Sequence, residues 1–445
     1  MYAELTESER FPLLTPPGRK LLHAMRQDPQ APLWNWPNGE QLDVEGLARV
    51  NAFASALTTT PATSRQEPPW LAEFVDYCLA EVPHYRQRSA AGTPLASIPS
   101  TTRADLTAKV WGFVPESQPL DDLIVFSSSG TTGHPAQLPT SSAAAACGVV
   151  LLERALASVG LQFPRGPAGV ALSNVVAYRG AYTTAIVVAY LQEAGCVRVN
   201  LSSDAWRNVD DRRAYMDRWA APVMLGDPVA FAQLAAVGIE RPPQAMISCI
   251  THLSDALAAN LTEQYGCPVL DLYALTEAGI VGLKTPHGFA ILPHDLYVEI
   301  LDEHDQPCPV GMRGEITLTG GRNPYLPLLR YRTGDFAAWA WHDGQAVLAD
   351  LEGRQPVQFV TPGDRIVHSM EVTRLLRRFP LTQYQLHQDA DGSFHFRYRG
   401  FLSSDDLQSA LLDLLGPSTQ LQLSELPDQS TSPRKWVAYS SDMKW

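Results

Sequence analysis

The chain has 445 residues, 45% of them hydrophobic and 18% charged. That excludes a disordered protein and allows two or more packed domains. A net charge of −13 argues against a nucleic-acid surface and gives no attraction to an anionic membrane. No apolar run reaches the length of a membrane span, and the N-terminus lacks the basic-then-apolar pattern of a secretory signal. Cys78, Cys147, Cys196, Cys249, Cys267 and Cys308 form no Cys-x-x-Cys pair. Reduced thiols in a cytoplasmic protein are therefore expected, rather than disulfides or a zinc site.

Residues 1–66 read as an N-terminal extension of short helical patterns and Pro- and Trp-containing turns, closed by the link Thr58–Ser64. The apolar spacing over Trp70–Leu79 predicts an amphipathic helix, and Asp122–Phe126 is an apolar strand candidate. Directly after it come Ser127, Ser128, Ser129, Gly130, Thr131, Thr132 and Gly133, a loop dense in small donors. Hydroxyls, backbone N–H groups and flexible glycines suit a wrap around phosphate oxygens, although an ordinary Ser/Gly-rich turn has the same composition. It is not a Walker loop, since no Gly-Lys-Ser/Thr follows. Ser142–Val159, rich in Ala and Leu, predicts a helix whose positive end could face a nucleotide.

Short strands are expected at 169–173 and 197–201, flanking 182–194, which reads as a helix. Further strands at 220–225, 244–249 and 268–272 continue a β-α-β rhythm, which implies a largely parallel sheet with helices on its faces. From Leu296 to Leu318 the pattern turns to strands with Pro/Gly turns, an antiparallel subdomain. The divisions expected are the extension 1–66, a large domain 67–354 and a small α+β module 355–445.

Four motifs in order carry a resemblance: the Ser/Thr/Gly loop, Tyr273-Ala274-Leu275-Thr276-Glu277, Tyr331-Arg332-Thr333-Gly334-Asp335 and Gly353-Arg354. Together they resemble the adenylate-forming superfamily of acyl-CoA synthetases, peptide-synthetase adenylation domains and luciferases. Val82-Pro83-His84-Tyr85-Arg86, Ile98–Leu106 and Pro327–Arg332 resemble the phenylacetate–CoA ligase branch, and the likeness runs from about Pro68 to the C-terminus. The resemblance implies a large α/β domain with mainly parallel sheets and an antiparallel subdomain, followed by a small mobile α+β C-terminal domain.

It also implies the chemistry: ATP-dependent activation of a carboxylic acid as acyl-AMP with pyrophosphate release, then transfer to CoA. Ser128 to Gly133 would hold the β- and γ-phosphates. Thr276 would bond the α-phosphate, and Glu277 would hold Mg²⁺, an oxygen-seeking ion. Tyr273 would lie on the adenine, Asp335 would accept the ribose hydroxyls, and Arg354 would meet ribose or phosphate. Lys435, in Pro433-Arg434-Lys435, matches the family's adenylation lysine, with Lys444 a weaker candidate. An aromatic or otherwise apolar acid would sit between a helix starting near Tyr178 and the Ile250–Leu253 loop. Tyr178, Tyr182, Ile250, His252 and Leu275 would line it, with Arg179 or His252 meeting any second polar group. Relatives of this branch are often homodimers.

Three places depart from the family pattern. Ala274 replaces a glycine, Ile247–Leu253 matches the adenine loop poorly, and Gln355-Pro356 follows Gly353-Arg354 where relatives carry a hinge acid. The last departure leaves two alternatives beside CoA transfer. One is transfer to a carrier-protein phosphopantetheine thiol or an amine; the other is a catalytically inactive nucleotide-binding homologue.

Overall fold

The described residues are 5–59, 67–127, 137–249, 251–342, 344–353, 357–363, 365–427 and 437–443 of a computed structural model. Their contacts divide the α/β chain into two units. One holds Met1–Leu14, Asn38–Gln162 and Leu272–Gln355; the other holds Thr15–Pro37, Phe163–Asp271 and Pro356–Trp445. The N-terminal stretch contributes to both.

The first unit is built on an antiparallel sheet. Its strand order is Leu296–Leu301, Arg313–Gly320, Leu328–His342, Gln345–Gly353, Gly288–Ile291, Gly279–Thr285, then residues 272–275. Alternation of buried and half-buried residues along Leu296–Leu301 turns one face inward. Onto the sheet packs the Leu71–Glu81 helix, which buries Leu71, Val75, Cys78 and Leu79, one stripe at helical spacing. The expected Trp70–Leu79 helix is thus present, as is the Ala-rich helix at Ser142–Ala157, whose Ser141 cap accepts the Ala144 N–H.

Three motif segments that are distant in sequence meet along the Leu328–His342 strand. The Tyr85 hydroxyl donates to the Pro327 carbonyl at 3.1 Å and accepts from the Leu329 N–H at 3.0 Å. Thr101 lies beside Tyr331 like an extra parallel strand, with Thr101 N–H on the Arg330 carbonyl and Arg332 N–H on the Thr101 carbonyl. Arg330 is 1% exposed and donates to the carbonyls of Ala96, Ile98 and Asp305, while its Nε lies 3.5 Å from Glu299. Its φ of +45° is a left-handed conformation that a branched or long side chain disfavours. The carbonyl bonds hold it there. Burial pushes the Glu299 carboxyl up, and the Arg330 charge opposes that push.

The second unit carries the parallel sheet expected from the β-α-β rhythm. Residues 269–271, Ala245–Ser248, Val223–Gly226, Val170–Val176 and Ala194–Asn200 run parallel in that spatial order. The edge differs from expectation. Residues 182–194 are not a helix: Thr184–Val188 is a strand antiparallel to Ala194–Asn200. The β-branched run Ile186-Val187-Val188 favours extended backbone, and Gln192 and Glu193 take the positive φ that closes the hairpin. No helix begins near Tyr178 either; residues 177–183 form a loop and turn.

In the same unit, the described residues of 357–443 combine helices with a sheet of their own. That sheet's order is Leu421–Glu425, Phe394–Gly400, Leu381–Gln388, Tyr439–Ser441, with helices Ser369–Leu376 and Ser404–Leu415. Phe359, Leu386, Phe394, Phe396, Leu407 and Leu411 make its core. Among the described residues no helix is long and apolar enough to cross a membrane, and no disulfide joins the six cysteines.

Arg330→Met should lower the free energy of unfolding by about 3–5 kcal/mol, because Glu299 and three carbonyls lose their buried partner. Urea unfolding measures it, and a loss under about 1 kcal/mol would show that the guanidinium is dispensable.

Candidate active site

The C-terminal end of the Val269–Leu275 strand delivers the first site residues. Tyr273 is buried in the first unit's core, its ring edge-on to Phe289, and its hydroxyl donates to Asp335 Oδ2 at 2.9 Å. Burial raises the Tyr273 phenol well above its ordinary range, and the Asp335 charge adds to the effect. A neutral phenol therefore stays a donor to that carboxylate.

Asp335 is aimed by its neighbours. Gly334 takes a φ of +79°, and its N–H bonds Glu315 Oε1 at 2.9 Å. The Asp335 N–H bonds the Thr333 hydroxyl, which itself donates to the Ile316 carbonyl. Opposite Asp335 across the ladder is Gly353, where an added Cβ would come within 3.2 Å of Asp335 Oδ1. Glycine at 353 thus keeps a side chain off the carboxylate, a physical reason for the Gly-Arg motif.

Glu277 follows in the turn after the strand. Its side chain is 3% exposed and meets Arg103 Nη1 at 2.6 Å. Arg103 opens the Arg103–Ala108 helix, whose capping box pairs Thr102 with Asp105. The Tyr331 phenol is raised by burial first and by the Glu277 charge second. Thr276 is exposed and Leu275 half-buried. Tyr273, Glu277 and Asp335 therefore converge in one unit, with Tyr331 feeling both carboxylates. Arg103 and Tyr331 are the partners that motif matching alone did not assign; both lie inside segments the resemblance already marked.

In the second unit, Tyr178 and Tyr182 are 38% and 41% exposed and share one partner. The Arg198 guanidinium sits 4.1 Å from the Tyr182 ring centre and donates to the Tyr178 hydroxyl at 3.4 Å. Arg198 belongs to no motif, which is why neither spacing nor resemblance pointed to it. His252 is exposed. Ser128, Ser129, Gly130, Thr131, Thr132, Gly133, Ile250, Arg354, Lys435 and Lys444 lie outside the described residues.

Residues 77–323 match the family model described as AMP-binding enzyme, more than half of the chain. The chain belongs to that family. Its similarity runs to the phenylacetate–CoA ligase branch: it is 23% identical over 348 residues to a phenylacetate-coenzyme A ligase of Aromatoleum evansii, covering 72% of this chain and 76% of that protein. Among solved structures, 2-hydroxyisobutyryl-CoA ligase in its postadenylation state aligns with a TM-score of 0.61 and 15% identity over 86% of this chain and 94% of that one. An open conformation of the same ligase, with 2-HIB-AMP and CoA, aligns with a TM-score of 0.53 over 85% and 95%. These two likenesses establish the adenylate-forming fold.

Within an AMP-binding enzyme the donor set fits Mg²⁺, which takes oxygen ligands and often only one protein carboxylate beside substrate phosphates. Glu277 offers that carboxylate and Thr276 an adjacent hydroxyl. Arg103 already meets the same carboxylate, so cation and guanidinium would compete for it.

Tyr273→Phe, which keeps the ring, should cost about 1.5–3 kcal/mol of stability by removing a bond to a charged acceptor. The pH sign follows from the raised phenol. Below its ordinary value of 10.0 the Tyr273 contribution is complete. Above that value the unfolded chain ionises first and stability declines. Unfolding midpoints from pH 8 to 11 should fall less steeply in Tyr273→Phe; parallel curves would count against the bond.

Proposed function

We propose that the protein activates a small carboxylic acid as its acyl-adenylate and then passes the acyl group to the thiol of CoA. The observation that carries this reading is the convergence of Tyr273, Glu277 and Asp335 in an AMP-binding enzyme. In the first step a carboxylate oxygen attacks the α-phosphorus and the bond to pyrophosphate breaks. In the second, the thiol sulfur attacks the acyl carbon, AMP leaves, and the thiol proton goes to solvent.

Each residue then has a task. Asp335 accepts the ribose hydroxyls, with Tyr273 fixing its second oxygen and flanking the adenine. Thr276 bonds the α-phosphate. When bound, Mg²⁺ on Glu277 would offset phosphate charge. Ser128, Ser129, Gly130, Thr131, Thr132 and Gly133 hold the β- and γ-phosphates, Arg354 meets ribose or phosphate, and Lys435 stabilises the pentavalent phosphorus. Residues 67–354 would act as the large domain and 355–445 as the small one.

The acid pocket is assigned to Tyr178, Tyr182, Ile250, His252 and Leu275. Exposed aromatic faces at Tyr178 and Tyr182 support an aromatic or otherwise apolar acid. The phenylacetate-coenzyme A ligase that the chain resembles supports the same class. Arg198, held between those tyrosines, would favour an acid with a second anionic or hydrogen-bonding group.

Pyrophosphate release with a panel of aryl, arylacetic and short hydroxy acids tests the first step. Turnover with aromatic acids is expected. Absence of turnover with every acid, alongside ATP binding, would leave an inactive nucleotide-binding homologue. Mass analysis with CoA, a phosphopantetheinylated carrier or hydroxylamine then identifies the acceptor; acyl-AMP that CoA leaves untouched would refute CoA transfer.

Two substitutions separate binding from chemistry. Asp335→Ala should raise the ATP KM at least about tenfold, the value of one charge-assisted hydrogen bond. Lys435→Ala should lower adenylation kcat at least about a hundredfold with ATP affinity kept, the usual effect of removing a preorganised charge from the transition state. Unchanged ATP affinity in the first variant, or near-normal turnover in the second, would remove that residue from its role.

A further inference from the structure

The C-terminal module holds a second cluster that the adenylation chemistry does not use. His387 lies on the Leu381–Gln388 strand, and Asp389 follows that strand's end. Asp442 directly follows the Tyr439–Ser441 strand, and its N–H bonds the Gln388 carbonyl. His387 Nε2 lies 3.1 Å from Asp389 Oδ1 and 3.5 Å from Asp442 Oδ2. The ligand atoms of all three residues lie within 4.8 Å of one another.

The spacing is informative. A tetrahedral ion with bonds of about 2.0–2.2 Å keeps its ligand atoms about 3.3–3.6 Å apart. Of the two distances from His387, 3.5 Å falls on that edge and 3.1 Å lies slightly inside it. The surroundings match as well. His387 Nδ1 pairs with the Ser440 hydroxyl at 2.8 Å, which fixes the ring and aims Nε2 at both carboxylates. His395, directly across the ladder from His387, places Nε2 2.7 Å from the second oxygen of Asp389. Metal-binding imidazoles and carboxylates are commonly oriented by such outer hydrogen bonds. Beside the cluster a cleft of about 210 Å³, lined by Gln385, His387, Asp389, His395 and Arg397, leaves room for an exchangeable ligand.

We propose that His387, Asp389 and Asp442 bind one divalent transition-metal ion of the zinc class, with His395 and Ser440 as positioning residues. One imidazole and two carboxylates suit Zn²⁺ or Co²⁺, and two carboxylates balance the ion's charge. The ion would fasten the last described strand to the centre of the module's sheet. This site is separate from any Mg²⁺ on Glu277.

Calorimetric titration of the chelator-treated full chain with Zn²⁺, without nucleotide, tests the site. One ion per chain is expected, bound with a Kd below about 10 µM, and thermal unfolding should move upward with Zn²⁺ by mass action. Asp442→Asn and His387→Gln should lose binding and the thermal shift. His395→Gln should weaken binding about 10–100-fold, as outer-shell changes do. Glu277→Gln should leave it unchanged. Co²⁺ should give the intense visible absorption of a four-coordinate site in the parent chain and not in Asp442→Asn. The proposal fails if 1 mM Zn²⁺ does not bind, if binding ignores the His387 and Asp442 substitutions, or if Glu277→Gln abolishes it. Each of those results would leave a proton-linked His–Asp network only.

Discussion

A buried guanidinium organises the first unit. Arg330 is removed from water, yet its donors meet three backbone carbonyls and its Nε approaches Glu299. Ala96 lies in the short 3-10 turn Leu95–Ser97, and Ile98 and Asp305 lie outside the strands, so no sheet ladder satisfies the three carbonyls. A buried carbonyl without a partner is costly, so one planar side chain with fixed donor directions settles several groups at once. Lysine could not reproduce that fork. Once Arg330 fixes the 96–101 segment, Thr101 pairs beside Tyr331 and the Arg103 helix begins where its first side chain reaches Glu277. The site carboxylate thus depends on a structural bolt on the same strand. Arg332, bonded to Ser100, Asp305 and Glu315, secures the segment's other side.

Much of this was legible in the sequence because local chemistry and long-range pattern agreed. The Leu71–Glu81 stripe and the short apolar strands of the second unit follow from spacing, and the Ser142–Ala157 helix from its Ala and Leu content. Motif order located Tyr273, Glu277 and Asp335 before any geometry was known. The edge hairpin was not legible. Residues 182–194 contain six good helix formers (Ala, Leu, Gln and Glu) against five β-branched residues, so a propensity reading leans to helix. Pairing with Ala194–Asn200 overrode that preference, as tertiary context does with short segments. Arg198 illustrates a different limit: it stands alone in an apolar strand, and only folding reveals the tyrosines on either side of it. His387 and His395 likewise look unrelated until the antiparallel register sets them opposite one another.

Charge presents the site with a problem that its tyrosines help to resolve. The chain carries −13 overall, and the residues proposed to hold the nucleotide include two carboxylates, while ATP would bring further negative charge. Bare carboxylates near a triphosphate would repel it. In the first unit neither carboxylate is bare: Asp335 accepts a hydrogen bond from the Tyr273 phenol, and Glu277 meets Arg103, with the Tyr331 phenol close enough to feel its charge. Because burial raises both phenols, these donors remain protonated at neutral pH. A phenol lends its dipole without adding a charge, so Asp335 would keep its capacity to accept from the proposed ribose while its second oxygen is held still. Arg103 supplies the full positive charge where phosphates would gather, next to Glu277. On the proposed assignment a neutral donor would stand at the sugar end and a cationic one at the phosphate end, and that polarity would orient a nucleotide along the site before any reacting group is engaged.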